Sequence, residues 1–147
     1  MLINKLKELI QEDPLREEID LSNQAITMLD NNSVDLLSRF QNLKFLNLSD
    51  NYLQKLPKNM DLLKKLEMLD LNGNPFQEIE LAVDSIKQIG PTLVNVNINL
   101  FEEDQVDFLL RNLEWLKVLN GLKVERDALF NEIDEEDEEY DSEGNSQ

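Results

Sequence analysis

The 147-residue chain contains no cysteine and no histidine. Without cysteine, disulfide bonds, thiolate metal sites and thiol catalysis are excluded. Without histidine, the commonest general base and a frequent metal ligand are also missing. We therefore expect no enzyme, no cofactor and no metal, and the sequence assigns no catalytic or metal-binding residue. Glycine and proline are scarce, at four each, so no long flexible linker interrupts the chain.

Positive charge is also scarce, because 14 Lys and Arg residues stand against 31 Asp and Glu, giving a formal net charge of -17. Such a surface repels phosphate backbones, so a nucleic-acid partner is not expected. No apolar run approaches the roughly 20 residues that span a bilayer, so a membrane is not expected either. The first residues are too densely charged for a signal sequence.

The chain does contain an internal repeat of 23 residues. In the first copy Asn51 is surrounded by the apolar framework residues Leu43, Leu46, Leu48, Leu53 and Leu56. In the second copy Asn74 is surrounded in the same spacing by Leu66, Leu69, Leu71, Phe76 and Ile79. Self-similarity at such a period indicates a stack of repeated units that bury one continuous core.

Weaker copies extend this pattern on both sides. Gln24 replaces the asparagine in the upstream copy, and Phe101 replaces it downstream. The equivalent strand positions lie 27, 23, 27 and 23 residues apart, at Ile19, Leu46, Leu69, Val96 and Leu119. The longer spacings leave room for helical turns, which we predict within residues 34–40 and 79–89.

The pattern resembles the leucine-rich repeat superfamily, in its small intracellular form. This resemblance implies an α/β fold: a right-handed solenoid with a short parallel β-sheet on its concave face and helical caps at both ends. We predict a domain of about five repeats at residues 1–131, with a helical cap at 1–12 and a C-terminal cap at 104–131. Extracellular relatives usually carry disulfide-bonded caps, so the lack of cysteine favours an intracellular protein, cytoplasmic, nuclear or both.

Strand alternation turns the residues beside each core position out onto the concave face. Phe45 and Met68 are predicted to lie side by side there, inside a polar surround typical of a protein interface. The alternative is that side chains from neighbouring repeats partly cover these two residues. The complete predicted protein-binding set is Glu18, Asp20, Phe45, Asn47, Met68, Asp70, Asn72, Asn95, Asn97 and Asn120.

The polar residues of the repeat have two interpretations. Asn51 and Asn74 are predicted to bond neighbouring backbone groups, since an amide both donates and accepts. Short polar side chains on a crowded surface explain the concave asparagines, whereas Asp20 and Asp70 also favour a basic partner. The aspartates do not begin a calcium loop, because Pro75 occupies the position that needs glycine.

Residues 132–147 contain nine acids and no base, which leaves -8 for the rest of the chain. A block of like charge favours a disordered tail, which either keeps the protein soluble or attracts basic proteins. Ser142 lies between two acids and is a candidate phosphorylation site.

The layout as a whole resembles the acidic nuclear phosphoprotein 32 family, which implies histones or phosphatases as partners. We predict a non-catalytic module that binds a protein partner, basic in character, through the concave face, either as a monomer or within a hetero-complex. Two alternatives stay open. The first is a chaperone of histones or other basic proteins, or a phosphatase regulator, acting partly through the tail. The second is a structural subunit or light chain of a larger assembly.

Overall fold

The strands of the sheet follow one another in space in the order in which they occur in the chain. The computed structural model describes residues 2–100 and 102–126. The predicted tail at 132–147 and the end of the predicted C-terminal cap lie outside these residues. The strands of the described part are β1 (Glu18–Asp20), β2 (Phe45–Asn47), β3 (Met68–Asp70), β4 (Asn95–Asn97), β5 (Val118–Leu119) and β6 (Leu122–Lys123). Its α-helices are α1 (Leu2–Glu12), α2 (Asn31–Leu37), α3 (Ile79–Lys87) and α4 (Glu103–Asn112), and a 3-10 helix spans Met60–Leu62.

The first five strands pair in parallel, in the register that the repeat predicts. The successive Cα partners in the ladder are Ile19, Leu46, Leu69, Val96 and Leu119. In each strand of three residues the central side chain is buried and the two flanking ones are more exposed. Together with the helices, this arrangement confirms the predicted α/β class.

The last strand departs from the predicted parallel sheet, since β6 pairs antiparallel with β5. Asn120 and Gly121 connect the two strands and both have positive φ, 51° and 80°. Two-residue hairpin turns favour Asn-Gly because both central residues of such a turn need positive φ. The repeat pattern ends at this pair, so the repeat alone does not predict a strand running the opposite way.

The helices contribute to the same apolar core as the inward strand residues. Contacts between helices pair α1 with α2 and α3 with α4, while the 3-10 helix lies against α2. Helix α2 begins earlier than predicted, because the Asp30 carboxylate accepts a hydrogen bond from the Ser33 backbone N–H at 2.8 Å and caps the first turn. The second 27-residue spacing contains α3, as predicted, whereas the 23-residue spacing before it contains only the 3-10 helix.

Asn51 and Asn74 are buried, and each forms hydrogen bonds with the backbone of two consecutive repeats, which we call coils. The Asn51 Nδ2 donates to the carbonyl oxygens of Leu21 and Leu48 at 3.0 and 2.9 Å. Its Oδ1 accepts from the backbone N–H of Ile26 at 3.0 Å. Asn74 makes the corresponding bonds one coil further along, with the carbonyls of Leu48 and Leu71 and the N–H of Leu53. Each amide therefore satisfies buried backbone groups that no strand or helix pairs.

The two ends of the sheet are covered in different ways. At the N-terminal end, helix α1 buries Leu6 completely against the core. At the C-terminal end, the guanidinium of Arg126 donates to the carbonyl oxygens of Leu110, Leu113 and Leu116, around the end of α4. Burial lowers the pKa of Arg126, and the negative charge of Glu114 acts in the opposite direction.

Candidate functional site

The sheet surface opposite the buried central residues is the candidate site, and we call it the open face. Phe45 lies on β2, the second of the six strands, where the register places Glu18 on one side of it and Met68 on the other. Phe45 is 36% exposed, whereas Met68 is half-buried. Neighbouring side chains therefore cover Met68 more than Phe45, and the aromatic ring is the main apolar group offered to solvent.

A shallow depression of about 220 Å³ surrounds this ring. Its polar and apolar lining comes from Glu18, Asp20, Phe45, Asn47, Met68 and Asp70, with the backbone of β1 and β2 beneath. Small-molecule and cofactor sites usually occupy about 300–1,000 Å³. The depression is therefore of a size that suits a side chain of a partner protein better than a cofactor.

Asp20 and Asn47 take part in the turns that end their strands. The Asp20 Oδ1 accepts from the N–H of Ser22 at 2.9 Å and from its hydroxyl at 2.7 Å. The Asn47 Oδ1 accepts from the N–H and the hydroxyl of Ser49 at the same two distances. This is the bonding by which Asx side chains stabilise turns. One carboxylate oxygen of Asp20 therefore has a structural role in this turn, which does not require a partner protein.

Asp70 has the same role on β3. Its Oδ1 accepts from the backbone N–H of Asn72 at 3.1 Å, and its Oδ2 accepts from the Asn97 side chain at 3.3 Å. Asn72 itself is half-buried, and its carbonyl accepts from the N–H of Asp50 at 2.8 Å. Asn72 therefore lies at the end of the open face, where it holds two turns together.

The carboxylates make this part of the open face acidic. Hydrogen bonds from the Ser22 hydroxyl and N–H lower the pKa of Asp20, and the positive charge of Lys5 adds to the effect. Asp20 is therefore ionised at neutral pH. Within the described residues Glu18, Asp20 and Asp70 form no ion pair, so their negative charge is available to a partner.

The far side of the open face is amide-rich and differs from prediction at one position. Asn95 continues the row of Phe45 and Met68, and Asn97 continues the row of Asp70. Asn120, however, lies in the β5–β6 turn, where its Oδ1 accepts from the N–H of Ile98 at 2.8 Å. The positive φ of Asn120 places it in the turn and not in the strand row, and its role in partner binding stays a prediction.

Sequence reasoning missed Lys123, which lies opposite Val118 in the β5–β6 hairpin. Cross-strand partners project on the same face of a sheet, so this lysine belongs to the open face. The sequence did contain a signal, because the Asn120-Gly121 pair is a strong indicator of a hairpin turn. The pair had been interpreted as part of the last repeat. The open face therefore runs from an acidic, apolar part on β1–β3 to a basic edge on β6.

The described part of the chain contains neither a cluster of metal ligands nor a membrane-spanning helix. Over residues 2–100 and 102–126, no group of three His, Cys, Asp or Glu side chains could hold a metal ion. Among the same residues, no helix has the length and apolar character needed to cross a membrane.

Comparison with known families gives one result. The Leucine Rich Repeat family model matches residues 42–63. The matched segment contains β2, Asn51 and the 3-10 helix, and it supports the leucine-rich repeat superfamily. Leucine-rich repeats generally act as non-catalytic modules that bind other proteins. A comparison with curated proteins gave no match. The resemblance to the acidic nuclear phosphoprotein 32 family stays a prediction.

Proposed function

We propose that this chain is a non-catalytic module that binds a protein partner through the open face. The observation that carries the proposal is the exposed ring of Phe45, set between Glu18 and Met68 and rimmed by Asp20 and Asp70. A solvent-facing aromatic with a polar rim is typical of a protein interface. In this proposal the coils form a right-handed solenoid with the open face on its concave side, which is how repeat proteins expose extended binding surfaces.

The chemistry around Phe45 favours a basic partner. Three carboxylates that form no ion pair with any described residue attract a lysine or arginine side chain, and they increase the rate of encounter with a cationic surface. An arginine or lysine over the ring of Phe45 would add a cation–π contact, typically about 0.5–2 kcal/mol. The partner is bound by the monomer or within a hetero-complex, in the cytoplasm, the nucleus or both.

The test replaces Phe45 and Met68 together by alanine and compares partner capture by the full-length protein. We expect partner affinity to fall at least about thirtyfold, the equivalent of a hot spot of about 2 kcal/mol. A matched control replaces Tyr52 and Met28, an aromatic and a methionine that are 61% and 59% exposed at other sites. Unchanged capture by the Phe45 and Met68 variant, with its circular dichroism intact, would contradict the proposal.

A second candidate rests on the nine acids of residues 132–147. A chaperone for basic proteins, or a phosphatase regulator of the kind that the acidic nuclear phosphoprotein 32 resemblance implies, would bind partly through these residues. Neutralising them with Asn and Gln separates the candidates, because an open-face module keeps its main partner. Binding through the acidic residues should also weaken steeply with ionic strength. A structural subunit would instead co-purify with its assembly at a fixed ratio.

A further inference from the structure

One segment of this acidic protein carries the opposite charge. Residues 55–65 contain Lys55, Lys58, Lys64 and Lys65 against a single acid, Asp61, which gives +3 in a chain of net charge -17. We call residues 55–65 the lysine segment. It leads from the turn after β2, through the 3-10 helix, towards β3.

The positive charges of the lysine segment are exposed and can contact an acidic segment. All four lysine side chains are exposed, and none forms an ion pair with any of the described residues. The basic residues near the described C-terminus differ, because two acids lie among them around one pocket, which is lined by Lys117, Lys123, Arg126, Glu114 and Glu125. That group has a net charge of only +1, whereas the lysine segment has +3.

Apolar surface lies beside both lysine pairs. Lys55 and Lys58 border a groove of about 770 Å³ whose wall includes Leu81, a side chain that is 55% exposed. Lys64 and Lys65 border a second depression of about 330 Å³ that includes Leu62, which is 37% exposed. Both depressions lie next to the coil that has only a 3-10 helix. The surface therefore suits a segment that combines carboxylates with apolar residues.

We propose that residues 129–143 of this same chain bind the lysine segment. They carry nine carboxylates and no base, and the apolar residues Leu129, Phe130, Ile133 and Tyr140 are interspersed among them. They begin three positions after the last described residue, Arg126, so the two charged segments belong to one chain and are always joined. Opposite charge and shared apolar character are the physical basis of the contact.

Residues 129–143 are long enough to reach the lysine segment from the C-terminal end of the sheet. The coil between β2 and β3 lies about three strand spacings from β5, or roughly 15 Å along the sheet. Fifteen extended residues span up to about 50 Å. Covalent attachment gives an effective concentration in the millimolar range, so even weak ionic contacts are populated. An acidic segment that shields these lysines would make access to the groove dependent on ionic strength and on competing acidic or basic proteins.

The absence of cysteine makes a direct test possible, because a single Ser142→Cys substitution in the full-length chain takes one nitroxide label. We expect paramagnetic loss of NMR intensity at the amides of residues 55–65 and of Leu81. The loss should disappear at about 0.5 M salt, where the Debye length falls to roughly 4 Å. It should also disappear when the four lysines of the segment are changed to glutamine.

The matched control changes Lys7, Lys87, Lys117 and Lys123 to glutamine, which removes the same amount of charge from other parts of the surface. The intensity loss at the lysine segment should persist in this variant. No loss in the parent protein, or an equal reduction in both quadruple variants, overturns the proposal. Loss seen only between differently labelled chains assigns the segment to a second copy. Shifts caused only by an added polyglutamate peptide assign it to an acidic partner, and either outcome also overturns the proposal.

Discussion

At both ends of the sheet the apolar core of the stacked repeats must be covered from water, and the two ends are covered in different ways. At the N-terminal end an amphipathic helix, α1, buries Leu6 and packs against α2. At the C-terminal end a tight hairpin reverses the chain, and the Arg126 guanidinium bonds three carbonyls around the end of α4. The N-terminal end is closed mainly by apolar area, whereas the C-terminal end adds charge-assisted hydrogen bonds to the buried Leu109 and Leu110 of α4.

This difference matters because the two kinds of closure depend on different conditions. Apolar burial is non-directional and insensitive to pH, and it is lost in proportion to the area removed. Hydrogen bonds from a charged group depend on geometry, and their removal takes a charged donor from part-buried carbonyl oxygens. The two ends should therefore fail under different substitutions, and four measurements test whether they do.

The largest effect is expected at the N-terminal end. Leu6→Ala removes a fully buried side chain and should lower the free energy of unfolding by about 2–5 kcal/mol, measured by urea denaturation. Leu15→Ala is the control, because this leucine is 59% exposed and its truncation should change stability by less than about 0.5 kcal/mol. Equal effects of the two variants would show that α1 does not close the core.

The next effect is expected at the C-terminal end. Arg126→Gln removes the charged donor and should lower the free energy of unfolding by about 1.5–3 kcal/mol. Arg126→Lys should recover only part of this loss, since one ammonium cannot reproduce the fork that reaches three carbonyls. Lys123→Gln, at an exposed neighbouring position, is the control. A loss in Arg126→Gln no greater than in this control would mean that the guanidinium does not hold this end.

A smaller effect on stability is expected to depend on pH at the N-terminal end only. Asp30→Ala removes the N-cap of α2, the helix that packs against α1, and should cost about 1 kcal/mol at pH 7. Hydrogen bonds from the N–H and hydroxyl of Ser33 hold the pKa of Asp30 below its ordinary value.

Because the pKa of Asp30 is lowered in the folded state, its contribution is complete above the unfolded pKa of about 3.9 and disappears as the pH falls through the folded pKa. The difference between the parent and Asp30→Ala should therefore shrink in urea titrations below about pH 4. The Arg126→Gln difference should persist there, since the guanidinium stays charged. A pH-independent Asp30→Ala difference would contradict the assignment of the cap.

The smallest effect is the coupling between the ends. The first and sixth strands are five spacings apart, about 24 Å, so Leu6 and Arg126 share no partner. The losses in Leu6→Ala and Arg126→Gln should add within about 0.5 kcal/mol in the double variant. A larger coupling would show that the two ends are not independent closures.

Much of the fold could be predicted because the spacing of apolar residues within each repeat indicates which side chains are buried. The register from Ile19 to Leu119 follows from equivalent apolar positions, and the inward or outward direction of Phe45 and Met68 follows from strand alternation. The N-terminal helix could be predicted for the same reason, since its apolar stripe has helical spacing. Each of these features depends on a period that is visible in one stretch of sequence.

The candidate site was only partly predictable. The sequence placed Asp20 on the open face, but it did not show that one carboxylate oxygen is already bonded to Ser22. It placed Asn120 in the strand row there too, although this residue lies in the β5–β6 turn and its Oδ1 accepts from the N–H of Ile98. Lys123 was missed because its position depends on a chain reversal that breaks the repeat.

The sequence by itself determined which side chains enter the core and how the coils align, because apolar spacing sets burial and burial sets register. Only the tertiary structure decided how the ends close, which carboxylate oxygens of the open face are bonded, and which lysines lack an ion pair among the described residues. Those features depend on atoms that are distant along the chain meeting at hydrogen-bond distance. No local pattern of residue types specifies such a meeting.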